Sequence, residues 1–254
     1  MSKYNIVSTI FLALLFTSLI FEGVIDFSIW WYISLVLVFL TISAIGSVVL
    51  SLQYFTPVVS KGVHGVALTF DDGPVVGKTD RVLDVLKSFK APAAFFCIGN
   101  RLAANHELGR RINEEGHLLA NHSYFHRATF DLQSSSMISK ELADTDLQVA
   151  TITGKRSRYF RPPYGVTNPM VAKAVQRRNY TVVGWSIRSF DTVIKDPQKL
   201  FRRVTKSLKS GDIIVFHDHG EATIQILPAL LEHIRMSGLK VVRLDEMIND
   251  KPYA

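Results

Sequence analysis

The sequence predicts an α/β protein: a distorted (β/α) barrel of about seven parallel strands, preceded by one or two N-terminal transmembrane helices. Three observations carry this expectation. Short apolar, β-branched segments alternate with amphipathic ones from residue 64 onwards, the pattern of parallel strands covered by helices. Seven such strands fall within about 190 residues, which favours a barrel that is imperfect, because the regular form has eight. The first 52 residues, finally, hold only three charged side chains, Lys3, Glu22 and Asp26. The chain therefore divides into a membrane anchor over 1–52, a linker over 53–63 and a larger domain over 64–254.

The anchor comes first. Residues 6–21 form an uncharged run of 16 and residues 27–52 one of 26, and a spanning helix needs about 20. Trp30, Trp31 and Tyr32 open the second run as an interfacial aromatic belt would. No small-residue cleavage pattern follows Phe21, so a retained anchor, in the form of a helical hairpin, fits better than a cleaved signal peptide. The connection 22–26 lacks Lys and Arg, whereas Lys3 and Lys61 lie on the outer flanks. A full hairpin then places the domain in the cytoplasm by the positive-inside rule, and a single crossing places it outside. One lysine per flank leaves the side open.

In the domain, strands are expected at 65–70, 93–98, 117–121, 158–160, 181–185, 212–216 and 240–244. Helices are expected at 79–88, 102–115, 137–152, from the Asn168-Pro169 cap, at 197–208 and at 224–236. Net charge is +7, and with −1 in the first 52 residues the domain carries +8. A basic domain beside a membrane is drawn to anionic headgroups or anionic surface polymers. The Lys and Arg residues are scattered without a recognition motif, so no nucleic-acid partner is expected. The single Cys97 excludes an internal disulfide framework, and it sits in an apolar run as a core residue.

Chemistry in parallel α/β folds gathers where strands end, and those positions are rich in titratable groups here. Asp71 and Asp72 end the first strand, His122 and His126 follow the third, and Arg161-Pro162-Pro163-Tyr164 follow the fourth. Asp191 lies beyond the fifth, and His217 ends the sixth. Two adjacent carboxylates at the end of a buried strand are costly without a cation or hydrogen-bond donors. The i, i+4 histidines suit a divalent metal, and with one carboxylate they leave open positions for water and substrate, as in a hydrolytic zinc centre. Neighbouring strand residues point in different directions, so one aspartate can bind metal while the other serves as base. His217 is a candidate acid, Asp191 a candidate partner that orients it, and Arg161 a partner for Asp71. His64, His106 and His117 read as structural or exposed, and His219 lies near His217 without an assigned role.

Thr69-Phe70-Asp71-Asp72-Gly73-Pro74, His122-Ser-Tyr-Phe-His126, Arg161-Pro162-Pro163-Tyr164-Gly165, the stretch from Trp185 to Asp191, and Val215-Phe216-His217 resemble the five ordered motifs of the polysaccharide deacetylase, or NodB-homology, family of carbohydrate esterases. The resemblance covers roughly 64–245. It implies a hydrolase of linear amides that removes N-acetyl groups from amino sugars of a glycan such as peptidoglycan, a chitin-like polymer or a surface polysaccharide. It also implies a divalent metal, zinc first, with cobalt, nickel or manganese as alternatives. Asp71 would be the base, Asp72, His122 and His126 the metal ligands, and His217 the acid. Arg161 would steady Asp71, Asp191 would tune His217, and Tyr164, Pro163 and Trp185 would meet the oxyanion or the sugar. In the fourth motif many members carry Asp-x-x-Asp-Trp, where this chain has Arg188 through Thr192, and in the fifth Val215 stands where Leu is usual. These changes touch the groove wall and its charge.

Three other readings fit part of this residue set. Some relatives deformylate lipid-linked sugars at the membrane surface, so a deacylase of such a precursor is the alternative within hydrolases. A non-haem iron oxygenase also uses two His and one carboxylate, but leaves His217 and one aspartate idle. An inactive glycan-binding module is at odds with a complete set of titratable residues. The expected partners are thus a glycan or lipid-linked sugar and the membrane, and the expected location is a bacterial-type cell membrane.

Overall fold

The computed structural model describes residues 2–254. Two helices open it, α1 (Lys3–Phe21) and α2 (Ile29–Val48), both long and apolar enough to cross a membrane. They lie side by side as a hairpin. Phe11 stacks on Phe39 with ring centroids 4.6 Å apart, and Trp31 Nε1 donates to Ser18 Oγ at 2.9 Å. The foot of the hairpin rests on the domain. Ser47 Oγ donates to Thr167 O at 2.6 Å, and Thr167 N–H returns a bond to Ser47 O at 3.0 Å. Leu50, just past α2, is buried in a cluster with Val58 and Phe160, against which Trp185 packs.

The domain is built on seven parallel strands: β1 (Val66–Asp71), β2 (Ala93–Cys97), β3 (Leu118–Asn121), β4 (Tyr159–Phe160), β5 (Thr181–Val182), β6 (Ile187–Arg188) and β7 (Asp212–His217). Their spatial order is β5-β4-β3-β2-β1-β7-β6. The two edge strands are consecutive in sequence and joined by residues 183–186, so the sheet curls into an incomplete barrel closed by chain rather than by pairing.

Alternation along β1 divides the two faces of this curl. Val66, Leu68 and Phe70 point outward into a core with Val82, Leu83 and Leu86 of α3 (Thr79–Ser88) and Leu227 and Leu230 of α9 (Glu221–Met236). Ala67 points inward beside Ala94, Ala120 and Ile213. Small side chains recur there because the curl draws the inner face together. Further along the same face the residues turn polar, with Thr69 and then Asp71. The polar end opens at the strand C-termini. The opposite end is closed by α10 (Leu244–Ile248), whose Leu244 and Met247 belong to the inner cluster.

The count of seven strands is as expected, but one member differs. Residues 240–244 make a single bridge, Val241 to Val66, before the chain turns into α10, and the two-residue β6 takes the seventh place. The strand expected at 181–185 stops at Val182, because the carbonyls of Val183 and Gly184 turn to the guanidinium of Arg161 instead of a neighbouring strand. The helix expected at 102–115 is two, α4 (Gly99–Ala104) and α5 (His106–Glu114). Asn105 breaks it, its side-chain amide donating to Arg101 O at 2.8 Å in competition with the helical ladder. The remaining covering helices are α6 (Ser135–Thr153), α7 (Pro169–Arg178) and α8 (Pro197–Thr205). Asn168 caps α7 as its sequence announces, accepting from Met170 N–H and Val171 N–H.

Candidate active site

At the open end of the curl, Asp71 is level with His217 in the β1–β7 register, so both side chains leave the sheet on the inner face. Asp71 is buried, and so is its partner: Arg161, immediately after β4, is fully buried and donates Nη1 to Asp71 Oδ1 at 2.6 Å. The same nitrogen reaches Thr69 Oγ1 at 2.8 Å, Nε reaches Val183 O at 3.1 Å, and Nη2 reaches Gly184 O at 2.8 Å. The guanidinium carbon lies 4.1 Å from the centroid of the Phe96 ring. A buried charge needs this degree of compensation.

Asp72 departs from the strand at φ +74, which turns its carboxylate away from that of Asp71. Its Oδ1 lies 3.5 Å from His122 Nε2 and 3.4 Å from His126 Nε2, and one donor atom from each of the three residues falls within 4.8 Å of the others. Asp72 Oδ1 is buried without a hydrogen-bond partner. A buried carboxylate oxygen left bare between two imidazole nitrogens is what a divalent cation would satisfy, and the mixed N₂O donor set suits zinc. His122 Nδ1 lies 2.7 Å from Arg161 O. A carbonyl only accepts, so Nδ1 carries a proton and the ring turns Nε2 towards Asp72. Burial, then the charge of His122, lowers the pKa of His126 to about 4, so this ring is neutral at pH 7. Burial alone would raise Asp72, but the close approach and charge of His122, with the charges of His126 and His217, hold it well below the usual carboxylate range. The i, i+4 spacing works here without a helix. Residues 122–126 form a loop in which Ser123 and His126 take φ +63 and +51, bringing the two ring centroids to 4.8 Å.

Facing this cluster, His217 Nε2 lies 4.0 Å from Asp72 Oδ2. Its Nδ1 is 2.8 Å from Asp191 Oδ1. Asp191, buried, accepts three more bonds: from His217 N–H at 2.7 Å, Thr223 Oγ1 at 2.6 Å and Ser189 Oγ at 3.0 Å. Burial works against a charged His217, but the hydrogen bond and charge of Asp191, aided by Asp71 and Asp72, raise its pKa to about 9. At neutral pH it is a proton donor whose Nε2 faces the cleft.

Asp71, Asp72, His122, His126 and His217 line a cleft of about 280 Å³ together with Tyr164, Gly165, Trp185, Arg188, Ser189, Phe190, Thr192 and Val215. Tyr164, at φ +59, packs its exposed ring 4.8 Å from that of His126. Pro163 is buried in the turn beneath and does not line the cleft. Cys97 is buried in the core, and burial, with the charges of Asp218 and Asp71, pushes its thiol well up, so it is no nucleophile. His117 is a structural residue whose Nδ1 accepts from Ala93 N–H at 3.1 Å. His219 stands with its ring 5.7 Å from that of His217. Sequence reasoning missed Asp218, fully buried, whose Oδ2 accepts from Thr79 Oγ1 at 2.6 Å. Its place directly after a strand-end histidine was a readable signal. Asp218 explains Gly73: a Cβ there would meet Asp218 Oδ2 at 1.9 Å.

The family model described as polysaccharide deacetylase matches residues 59–183. A peptidoglycan-N-acetylglucosamine deacetylase of Bacillus cereus is 31% identical over 199 residues, covering 73% of this chain and 89% of that one. The chain belongs to the polysaccharide deacetylase family. The peptidoglycan-N-acetylglucosamine deacetylase PgdA of Listeria monocytogenes is also 31% identical, over 186 residues, but this chain spans only 39% of its length. Among solved structures, the peptidoglycan deacetylase PdaC from Bacillus subtilis superposes with a TM-score of 0.68 at 28% identity, covering 72% of this chain and 89% of that one. Polysaccharide deacetylases of this fold use a metal, and the Asp72, His122 and His126 donors are where one fits.

The donor set is tested by calorimetric titration of zinc into the metal-free full-length protein in detergent. His126→Ala is expected to weaken binding by at least about 10- to 100-fold, whereas Asp71→Asn stays close to the unmodified protein. Unchanged affinity in His126→Ala would show that the metal is held elsewhere.

Proposed function

We propose that the protein is a membrane-anchored, zinc-dependent deacetylase of N-acetylated amino sugars in peptidoglycan. One observation carries the reading. Two adjacent aspartates are separated into different surroundings, Asp71 paired with buried Arg161 and Asp72 left bare between His122 and His126. The names of its relatives, deacetylases of peptidoglycan, support the substrate.

A zinc ion held by Asp72, His122 and His126 would polarise the acetyl carbonyl and acidify a water molecule. The chain's own residues then divide the proton work. Asp71, oriented by Arg161 on Oδ1, takes a proton from the attacking water as the new C–O bond forms at the carbonyl carbon. The C–N bond breaks, and His217 gives its Nε2 proton to the departing amine nitrogen, leaving acetate and a free amino sugar. Asp191 keeps His217 protonated and correctly turned through Nδ1. Trp185 and Tyr164 supply apolar walls for the sugar ring. An iron oxygenase or an inert binder would leave the His217–Asp191 pair without work.

The hairpin of α1 and α2 serves as the anchor. Its two ends meet at the domain, so the N-terminus and the domain share one side of the membrane if both helices cross. A wall polymer as substrate requires that side to be outward, against the cytoplasmic side that the positive-inside rule gives from Lys3 and Lys61 alone.

Release of acetate and free amine from N-acetylglucosamine oligomers by the zinc-loaded protein tests the reading. Asp71→Asn is expected to lower kcat by about 10²–10⁴-fold, the usual worth of a general base. Full activity in that variant would remove Asp71 from the mechanism.

The pH profile carries a separate expectation. A His217 pKa raised to about 9 keeps the acid form present across neutrality, so kcat/KM should hold there and fall as pH rises through about 9. Asp191→Asn removes the interaction that raises the pKa, and its alkaline limb should begin at lower pH. An identical limb in both proteins would mean that another group titrates there.

A further inference from the structure

One charge in the cleft has no counterpart. Asp71 pairs with Arg161, Asp72 with two imidazoles and His217 with Asp191. Arg188, by contrast, pairs with no carboxylate among the described residues, although it lines the same cleft. Its direction follows from the sheet. Arg188 on β6 is level with Val215 on β7, and Val215 lies two residues before His217, so all three leave the sheet on the inner face.

The guanidinium is also held in place. Its carbon lies 5.5 Å from the Trp185 ring centroid and 4.8 Å from that of Phe190. Phe190 takes φ +60, an uncommon conformation for an aromatic residue, and its ring is contacted also by Arg203, at 4.4 Å. Arg203 Nε donates to Arg188 O at 3.1 Å, securing the base of the side chain. Stacking on aromatic faces leaves the N–H edges of a guanidinium free, and such a fork matches a carboxylate with two parallel hydrogen bonds.

We propose that Arg188 forms an anion subsite that selects glycans bearing a free carboxylate, such as a lactyl group, on the N-acetylated sugar or its neighbour. This rests on the deacetylase reading and names its substrate class. Trp185 and Phe190 orient the guanidinium, and Arg203 supports Phe190 from outside the cleft.

The test uses the full-length, zinc-loaded protein in detergent and two oligomers of alternating N-acetylglucosamine and N-acetylmuramic acid. One has free carboxylates, and in the other they are converted to methyl amides. The free acid is expected to be preferred by about tenfold or more in kcat/KM, mainly through KM, as one charge-assisted bidentate contact provides. Arg188→Ala should lose that preference and treat both oligomers alike, while Arg188→Lys retains part of it. Equal rates on both oligomers in the unmodified protein would overturn the subsite, as would a preference that survives Arg188→Ala. A stronger preference for a phosphate-bearing glycan would overturn the carboxylate assignment. Calorimetric binding of the free-acid oligomer to the Asp71→Asn variant, with and without Arg188→Ala, separates the two claims. Arg188-dependent binding without any turnover by the unmodified protein would refute deacetylation and leave the subsite standing.

Discussion

A single buried ion pair, Arg161 with Asp71, holds the curled sheet and the candidate site together. Arg161 enters from the end of β4, and its guanidinium reaches β1 through Thr69 and Asp71 and the β5–β6 connection through Val183 and Gly184. It therefore bridges the seam that strand pairing leaves open. Removing an arginine and an aspartate from water is expensive, and their attraction offsets that only when the remaining donors are satisfied. Here the carboxylate, a hydroxyl, two carbonyls and the face of Phe96 do so. The interior residues lower in the curl are a buried apolar cluster that includes Ala67, Ala94, Ala120, Ile213, Leu244 and Met247, which leaves the ion pair no access to bulk water from below.

The separation of two neighbouring carboxylates follows from this pair. Asp71 continues the strand and meets Arg161, while Asp72 takes a left-handed backbone conformation and meets His122 and His126. Arg161 also fixes His122 through its carbonyl, so one residue orients Asp71 with its side chain and His122 with its backbone. On the opposite wall Asp191 does the equivalent for His217, accepting both its main-chain and ring hydrogens. Each reactive group is thus held by a buried neighbour, which is the arrangement catalysis by preorganised groups requires.

Much of this was legible in the sequence because strand-end positions carry the chemistry and the strands are apolar enough to find. Asp71, Asp72, His122, His126, Arg161, Asp191 and His217 do converge at one rim. What escaped was set by contacts distant in sequence or by elements too short to show a period. β6 has two residues, and 240–244 reads as a strand yet bridges only at Val241 before α10 begins. The break at Asn105 comes from one side-chain bond that no periodicity reports. The i, i+4 spacing of the histidines says nothing of the backbone between them, where two left-handed residues in a loop bring the rings together. Pro163 turned out to support the Tyr164 turn from within. The packing of Arg188 and Arg203 on Phe190 depends on how β6 and α8 meet, and nothing local in the sequence reports it.

The account stands most directly on the coupling between Arg161 and Asp71, and a double-mutant cycle in chemical denaturation measures it. Arg161→Met alone strands a buried carboxylate and is predicted to cost about 3–5 kcal/mol. Adding Asp71→Asn should recover a large part of that loss, giving a strongly non-additive cycle. If the two substitutions add, the pair is not what holds the open seam and the site together, and the account is contradicted.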